Sequence, residues 1–196
     1  MSRLLLAVLL CGIQISVFAE TKTAVFAGGC FWCMEKPFDE IEGVKSTISG
    51  YTGGHTKNPT YKSTSTGTTG HYEAVRIEYD ATKVSYQTLL DVFWKNIDPF
   101  DAHGQFCDKG PQYRAGIFTN DETEIELAKK SKQALQAKLK DKATIVTEIL
   151  PEKKFYAAED YHQDYYQRNP IRYKYYRYGC GRDNRLKEVN ELIYSN

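Results

Sequence analysis

The residues best suited to chemistry in this chain lie in one short segment that holds two cysteines and two aromatic side chains. Cys30 and Cys33 form a Cys-x-x-Cys pair around Phe31 and Trp32, directly after two glycines. A thiol at the start of a helix is close to unpaired backbone N–H groups and to the positive end of the helix dipole, and both favour the thiolate. The segment therefore predicts that Cys30 is a nucleophile with a lowered pKa.

The Cys-x-x-Cys spacing alone also fits a local disulfide, half of a metal site, or a general dithiol-disulfide oxidoreductase. Beyond residue 19 the cysteines are Cys30, Cys33, Cys107 and Cys180. In an exported protein they could form two structural disulfides, although a chain of this length has a core large enough to fold without them. A zinc-binding module would use all four, but Cys107 and Cys180 are isolated in the sequence, which disfavours that alternative and a metal site in general.

The first nineteen residues have the pattern of a secretory signal peptide. Arg3 precedes an apolar run over residues 4–10, and the segment ends at the small residue Ala19. A glycine and polar residues interrupt the run before it reaches the roughly 20 apolar residues that span a bilayer. We therefore predict a signal peptide over 1–19, cleavage after Ala19, a single domain over 20–196, and a periplasmic or secreted protein.

Charge and composition exclude several other classes of protein. The chain has 26 basic and 25 acidic residues, and 41% of its residues are hydrophobic. Loss of Arg3 with the signal peptide leaves no net charge, which argues against nucleic-acid binding. We expect no membrane attachment once the signal peptide is cleaved. Basic residues alternate with tyrosines over 156–178, and we expect this segment to pack over the core.

Hydrophobic periodicity and turn residues predict the elements that must position these side chains. The predicted strands are 23–27, 44–51, 73–79, 114–118 and 144–150, and the predicted helices are 30–40, 85–97, 121–140 and 157–168. The first six elements follow the order β-α-β-β-α-β, which is the ferredoxin-like arrangement. We therefore predict an α+β two-layer sandwich with C-terminal extensions and a pocket at the start of the first helix.

Six motifs, in order along the chain, resemble those of the A-type peptide methionine sulfoxide reductases. They are Gly-Cys-Phe-Trp at 29–32, Gly-Tyr-Thr-Gly-Gly at 50–54, Asn-Pro-Thr-Tyr at 58–61, Gly-His-Tyr-Glu-Ala-Val at 70–75, Gln-Tyr-Arg at 112–114 and Glu-Asp-Tyr-His-Gln at 159–163. The resemblance covers about residues 22–185. It implies reduction of the S epimer of methionine sulfoxide, free or in proteins, to methionine, without a metal or an organic cofactor.

The resemblance also implies a role for each matching residue. Cys30 attacks the sulfoxide sulfur, Phe31 and Trp32 hold the substrate methyl group, and the oxygen is bound and protonated by Tyr61, Glu73 and Tyr113, with Asp108 as a further carboxylate. Oxygen leaves sulfur easily only when protonated, so we expect burial to raise the pKa of Glu73. Without the resemblance, Glu73 would be interpreted as an exposed residue at a strand start. His162 is expected to be a hydrogen-bonded packing residue outside the catalytic set.

Attack by Cys30 leaves a sulfenic acid, so turnover requires a second thiol that condenses with it to a disulfide. Cys180 lies in a glycine-flanked tail segment, and Cys33 lies one helical turn from Cys30, so both are candidates and their order stays open. Many family members carry glycine where Cys33 stands. Cys107 is either a bystander or a relay thiol. The resemblance implies a thioredoxin-like reductant, and we expect a monomer.

Overall fold

The structure, a computed structural model, describes residues 20–195, so the predicted signal segment lies outside the described residues. None of the helices in this range combines the length and the apolar character that a membrane-spanning helix needs.

A six-stranded sheet forms the centre of the fold. Its strands are β1 (Thr21–Gly28), β2 (Val44–Thr52), β3 (Tyr72–Asp80), β6 (Ala115–Phe118), β7 (Glu148–Leu150) and β8 (Tyr156–Ala157), and a separate hairpin is made by β4 (Gly104–Gln105) and β5 (Asp108–Lys109). The order across the sheet is β7-β6-β1-β3-β2-β8, with β1 antiparallel to both β3 and β6. The central four strands have the predicted ferredoxin-like arrangement, which confirms the α+β assignment.

Seven α-helices accompany the strands within residues 20–195. They are α1 (Trp32–Asp39), α2 (Tyr61–Thr64), α3 (Tyr86–Lys95), α4 (Glu122–Leu139), α5 (Tyr165–Arg168), α6 (Pro170–Gly179) and α7 (Arg182–Tyr194). The main core joins one face of the sheet to α1, α3, α4 and α7. Phe26 of β1 stacks on Phe38 of α1 at 5.6 Å and on Phe93 of α3 at 5.0 Å between ring centres. Burial of each such ring contributes about 1.5–3 kcal/mol, so these contacts fix α1 on the sheet.

The first and the last of the predicted helices differ from the structure. The first begins at Trp32 instead of Cys30, because Cys30 lies in the turn that leads from β1 into α1, where its carbonyl accepts the N–H of Cys33 at 3.0 Å. The prediction of one helix over 157–168 is wrong. The Gln163 side chain bonds the backbone N–H and carbonyl of Ser49, and Asp164 has a left-handed backbone with φ of 52°, so α5 begins only after this interruption. The strand predicted over 144–150 is formed only in its last three residues.

The C-terminal extension packs over the core as predicted, and one buried arginine anchors it. Arg182, the first residue of α7, is only 1% exposed. Its guanidinium donates to the carbonyls of Gly28 at 3.1 Å and of Asn96 at 2.7 Å. The extension is thereby attached to the end of β1, two residues before Cys30.

Candidate active site

The turn after β1 brings Cys30 into the interior, and it requires glycine. Gly29 has φ of +84°, and a Cβ atom there would lie 2.6 Å from Cβ of Gln105. Any larger residue would strain the backbone and push the β4–β5 hairpin away. The turn thus holds Cys30 against the adjacent strand β3 and the hairpin.

Cys30 opens onto a small cavity of about 60 Å³, here called the Cys30 cavity. Its walls are formed by Cys30, Phe31, Trp32, Tyr61, Glu73, Asp108, Tyr113 and Tyr176. The structure therefore brings together every residue predicted for attack, substrate binding and protonation, from segments far apart in the sequence. Tyr176 was not predicted.

Glu73 is a buried carboxyl whose surroundings favour its protonated form. It lies on β3, is 2% exposed, and its Oε2 accepts the backbone N–H of Phe31 at 3.3 Å. Burial outweighs that hydrogen bond, and together with the charge of Asp108 it raises the pKa of Glu73 to about 8. The carboxyl is therefore protonated at neutral pH, in the direction that the sequence predicted.

Two phenols complete the polar side of the Cys30 cavity. Tyr61 begins α2, and its backbone N–H is fixed by Glu159 at 2.9 Å. Tyr113 ends a single turn of 3₁₀ helix over Pro111–Tyr113. Burial, and next the charge of Glu73, raise the pKa of both hydroxyls. Both hydroxyls thus keep their protons at neutral pH and can donate hydrogen bonds to an oxygen in the cavity.

The pKa of the Cys30 thiol differs from the sequence-based prediction. Cys30 and Cys33 are both free and buried. Burial, a hydrogen bond to Cys33, and the charges of Glu73 and Asp108 raise the pKa of Cys30, so the predicted lowering is wrong. The hydrogen bond from Cys30 lowers the pKa of Cys33 to about 6, with help from Arg182. The reduced pair therefore carries one negative charge at neutral pH, stabilised by the hydrogen bond between the two sulfurs.

Trp32 is held in place from both sides. Its ring stacks on Tyr165 at 3.7 Å between centres, and its Nε1 donates to Nδ1 of His162 at 3.0 Å. Burial lowers the pKa of His162, which keeps the ring neutral and able to accept this bond. His162 also packs against Phe31 and Tyr61. This hydrogen-bonded packing role is the one that the sequence predicted.

Asp108 is joined to the C-terminal extension by two neighbouring links. The hydroxyl of Tyr176 donates to its Oδ2 at 2.5 Å, and a disulfide connects Cys107 to Cys180 at the end of α6. Burial raises the pKa of Asp108. Cys180 is thus the C-cap of a helix, not part of a loose tail, and in this state its sulfur is bonded to Cys107. Its predicted role in resolving the Cys30 intermediate stays a prediction.

Comparison with known proteins identifies the family. The sequence model described as peptide methionine sulfoxide reductase matches residues 22–192. This chain belongs to that family. It is 52% identical over 170 residues to the peptide methionine sulfoxide reductase MsrA 2 of Caulobacter vibrioides, which covers 87% of this chain and 86% of the relative. It is also 52% identical over 169 residues to MsrA of Bacillus subtilis, covering 86% and 96%.

Solved structures of the same family share the fold. Mxr1 from Saccharomyces cerevisiae in reduced form superposes with a TM-score of 0.72 at 32% identity, covering 78% of this chain and 88% of that one. Methionine sulfoxide reductase A of Corynebacterium diphtheriae gives a TM-score of 0.70 at 35% identity, covering 81% and 79%. The fold is therefore that of a methionine sulfoxide reductase family member.

In this family member Tyr176 is the site residue that sequence reasoning missed. It lies among many tyrosines, and no motif marks it. Its spacing from Cys180 is a usable signal, because residues four apart lie on one face of a helix. Had the pairing of Cys107 with Cys180 been known, Tyr176 would have been placed beside Asp108.

Proposed function

We propose that this protein reduces the S epimer of methionine sulfoxide, free or within proteins, to methionine, and so repairs oxidised proteins. One observation carries the proposal: the Cys30 thiol shares a cavity of about 60 Å³ with a carboxyl, Glu73, whose pKa of about 8 keeps it protonated. A nucleophilic sulfur and a proton donor facing the same small space are what removal of a sulfoxide oxygen requires.

In the first step the Cys30 sulfur takes the oxygen from the substrate sulfur. Phe31 and Trp32 form the apolar side of the Cys30 cavity and hold the substrate methyl group, while Tyr61, Tyr113 and Glu73 face the oxygen. The sulfur–oxygen bond of the substrate breaks and one to Cys30 forms, with the proton from Glu73 on the oxygen. Two electrons pass from Cys30 to the substrate, which leaves as methionine. The thiol proton of Cys30 passes along its hydrogen bond to Cys33.

In the second step the Cys30 sulfenic acid condenses with a thiol and releases water. Cys33 is the first candidate, because it is hydrogen-bonded to Cys30 and its pKa, lowered to about 6, favours the thiolate that attacks the sulfenic sulfur, while its proton leaves with the hydroxyl as water. The Cys30–Cys33 disulfide can then exchange with the thiols of Cys107 and Cys180, which restores the first pair and forms the disulfide that the structure contains. In this order Cys180 serves as the second resolving thiol and Cys107 as its relay partner.

The last step requires an external dithiol. We propose a thioredoxin-like reductant, supported by the fact that yeast Mxr1 has been solved in complex with Trx2. Cys107 is exposed and therefore accessible to such a donor. We further propose that the protein acts as a monomer, free of the membrane, in the periplasm or outside the cell after removal of residues 1–19. The apolar segment after Arg3 supports this location.

The test is a comparison of two epimers and two reactions. Reduced protein is incubated with a peptide that contains either the S or the R sulfoxide, and methionine is measured. We expect methionine only from the S epimer. Glu73→Gln should lose this reaction and retain disulfide exchange with a small dithiol. Retention of both reactions by Glu73→Gln would refute the role of Glu73 as the proton donor. Disulfide exchange without methionine formation by the unaltered protein would favour a general dithiol-disulfide oxidoreductase that uses Cys30 and Cys33.

A further inference from the structure

An apolar groove lies beside the Cys30 cavity, and the Cys107–Cys180 disulfide forms part of its wall. It encloses about 580 Å³, and it shares Trp32 and Tyr176 with the Cys30 cavity as common walls. Its outer wall is α6, through Ile171, Arg172 and Tyr175. We call this space the α6 groove.

A polypeptide substrate needs space outside the Cys30 cavity. Pockets that enclose most of a small ligand measure roughly 300–1,000 Å³, so a cavity of about 60 Å³ holds only the end of an oxidised methionine side chain. The main chain and the neighbouring residues must lie outside it. The α6 groove begins where the shared walls of Trp32 and Tyr176 end, and its volume suffices for such a segment.

The exposed side of α6 is suited to apolar contacts. Ile171 is 83% exposed and Tyr175 is 81% exposed, and their spacing of four residues places them on one face of the helix. Large apolar side chains that are exposed together next to an active site are typical of interaction surfaces. Arg172 adds a positive charge, and within residues 20–195 it has no carboxylate at ion-pair distance.

We propose that the α6 groove binds the residues that flank the oxidised methionine and favours segments with an apolar residue next to it and an acidic residue near Arg172. This proposal rests on the proposed function and adds a preference among its substrates. The shared walls support this occupant, because a segment that starts in the Cys30 cavity must continue past Trp32 and Tyr176. Cys107 and Cys180 also line the groove, so the test separates binding of the peptide from recycling by a reductant.

The test compares three substrates that carry the same sulfoxide. They are the blocked single residue N-acetyl-methionine S-sulfoxide methylamide, a short peptide with leucine and aspartate beside the sulfoxide, and a matched peptide with serine and lysine there. The variants are Ile171→Ser and Tyr175→Ser, which lie outside the Cys30 cavity. Tyr178→Ser is the matched control, because Tyr178 is 84% exposed on the same helix but does not line the groove.

We expect Tyr175→Ser to lower kcat/KM for the leucine-aspartate peptide about tenfold, through KM, because a buried aromatic contact is lost. Reduction of the blocked residue should not change, and Tyr178→Ser should match the unaltered protein on all three substrates. Ile171→Ser should act in the same direction as Tyr175→Ser.

The proposal is overturned if both groove variants reduce the leucine-aspartate peptide as fast as the unaltered protein does. It is also overturned if they slow only recycling by a thioredoxin-like donor and leave single-turnover reduction of the peptide unchanged, since the groove would then serve the reductant. Failure of the unaltered protein to reduce the blocked residue or either peptide would instead refute the proposed function.

Discussion

Replacement of Glu73 by glutamine should lower activity but, at alkaline pH, should make the protein more stable relative to the unaltered one. Glutamine keeps the shape and can still accept the N–H of Phe31, but it has no acidic proton to donate at neutral pH. Because general acid catalysis contributes typically 10²–10⁴-fold, we expect kcat/KM for a sulfoxide peptide to fall at least about 100-fold.

Stability should respond to pH because the pKa of Glu73 is raised in the folded protein. Between its ordinary value of 4.5 and about 8 the folded state holds a proton that the unfolded state releases, so the free energy of unfolding falls as pH rises through this window. Glutamine has no such proton. Relative to Glu73→Gln, the unaltered protein should therefore lose up to about 4 kcal/mol of stability between about pH 5 and pH 9.

Urea unfolding across this pH range measures the difference in the free energy of unfolding between Glu73→Gln and the unaltered protein. Glu35→Gln is the matched control. Glu35 is 0% exposed and accepts the hydroxyl of Ser49, its pKa is raised by burial to about 7, and it does not line the Cys30 cavity. Its replacement should also alter the pH dependence of stability but leave kcat/KM unchanged. Parallel stability profiles for Glu73→Gln and the unaltered protein would refute the buried-acid reasoning, and full activity of Glu73→Gln would refute its catalytic role.

Three further changes test other parts of the site and its support. Tyr176→Phe removes the donor to Asp108 and should lower kcat/KM about tenfold. Tyr166→Phe, which removes a hydroxyl bonded to Asp39, is the control. Equal kinetics of the two variants would contradict the role of the Tyr176 hydroxyl. Cys33→Ser should still yield one methionine per protein but slow dithiol-driven turnover at least about tenfold, and undiminished turnover would exclude Cys33 as the first resolving thiol. Arg182→Met leaves the carbonyls of Gly28 and Asn96 without their donor and should lower the free energy of unfolding by about 2–4 kcal/mol, measured with denaturant. Arg172→Met at the surface is the control, and equal stability of the two variants would contradict the anchoring role of Arg182.

The sequence predicted best what depends on local pattern. The strand predicted over 73–79 alternates, with Val75, Ile77 and Tyr79 on one face, and Glu73 has the same parity. Its burial agrees with the period of the strand, but a glutamate at a strand start is more often exposed, so the expectation of burial came from the resemblance and not from the local pattern. The turn before Cys30 was equally predictable, because two glycines between a strand and a helix indicate a tight connection.

What the sequence could not predict depends on long-range contacts. Cys107 and Cys180 are 73 residues apart, and no local pattern specifies their pairing. Burial of Arg182 contradicts the usual preference of its residue type and becomes understandable only when the acceptors on Gly28 and Asn96 are seen. The pKa of Cys30 was predicted in the wrong direction because the helix start was considered alone, without burial and without the nearby carboxyls.

The most direct test of the central claim is to locate the oxygen after a single turnover. A protein in which Cys33, Cys107 and Cys180 are replaced by serine cannot form an internal disulfide, so the sulfenic acid should persist long enough to be trapped by dimedone. With one equivalent of S-sulfoxide peptide, we predict one methionine per protein and one dimedone adduct, mapped by mass spectrometry to Cys30. Methionine formed without an adduct on Cys30, or an adduct with no methionine, would contradict attack by this sulfur.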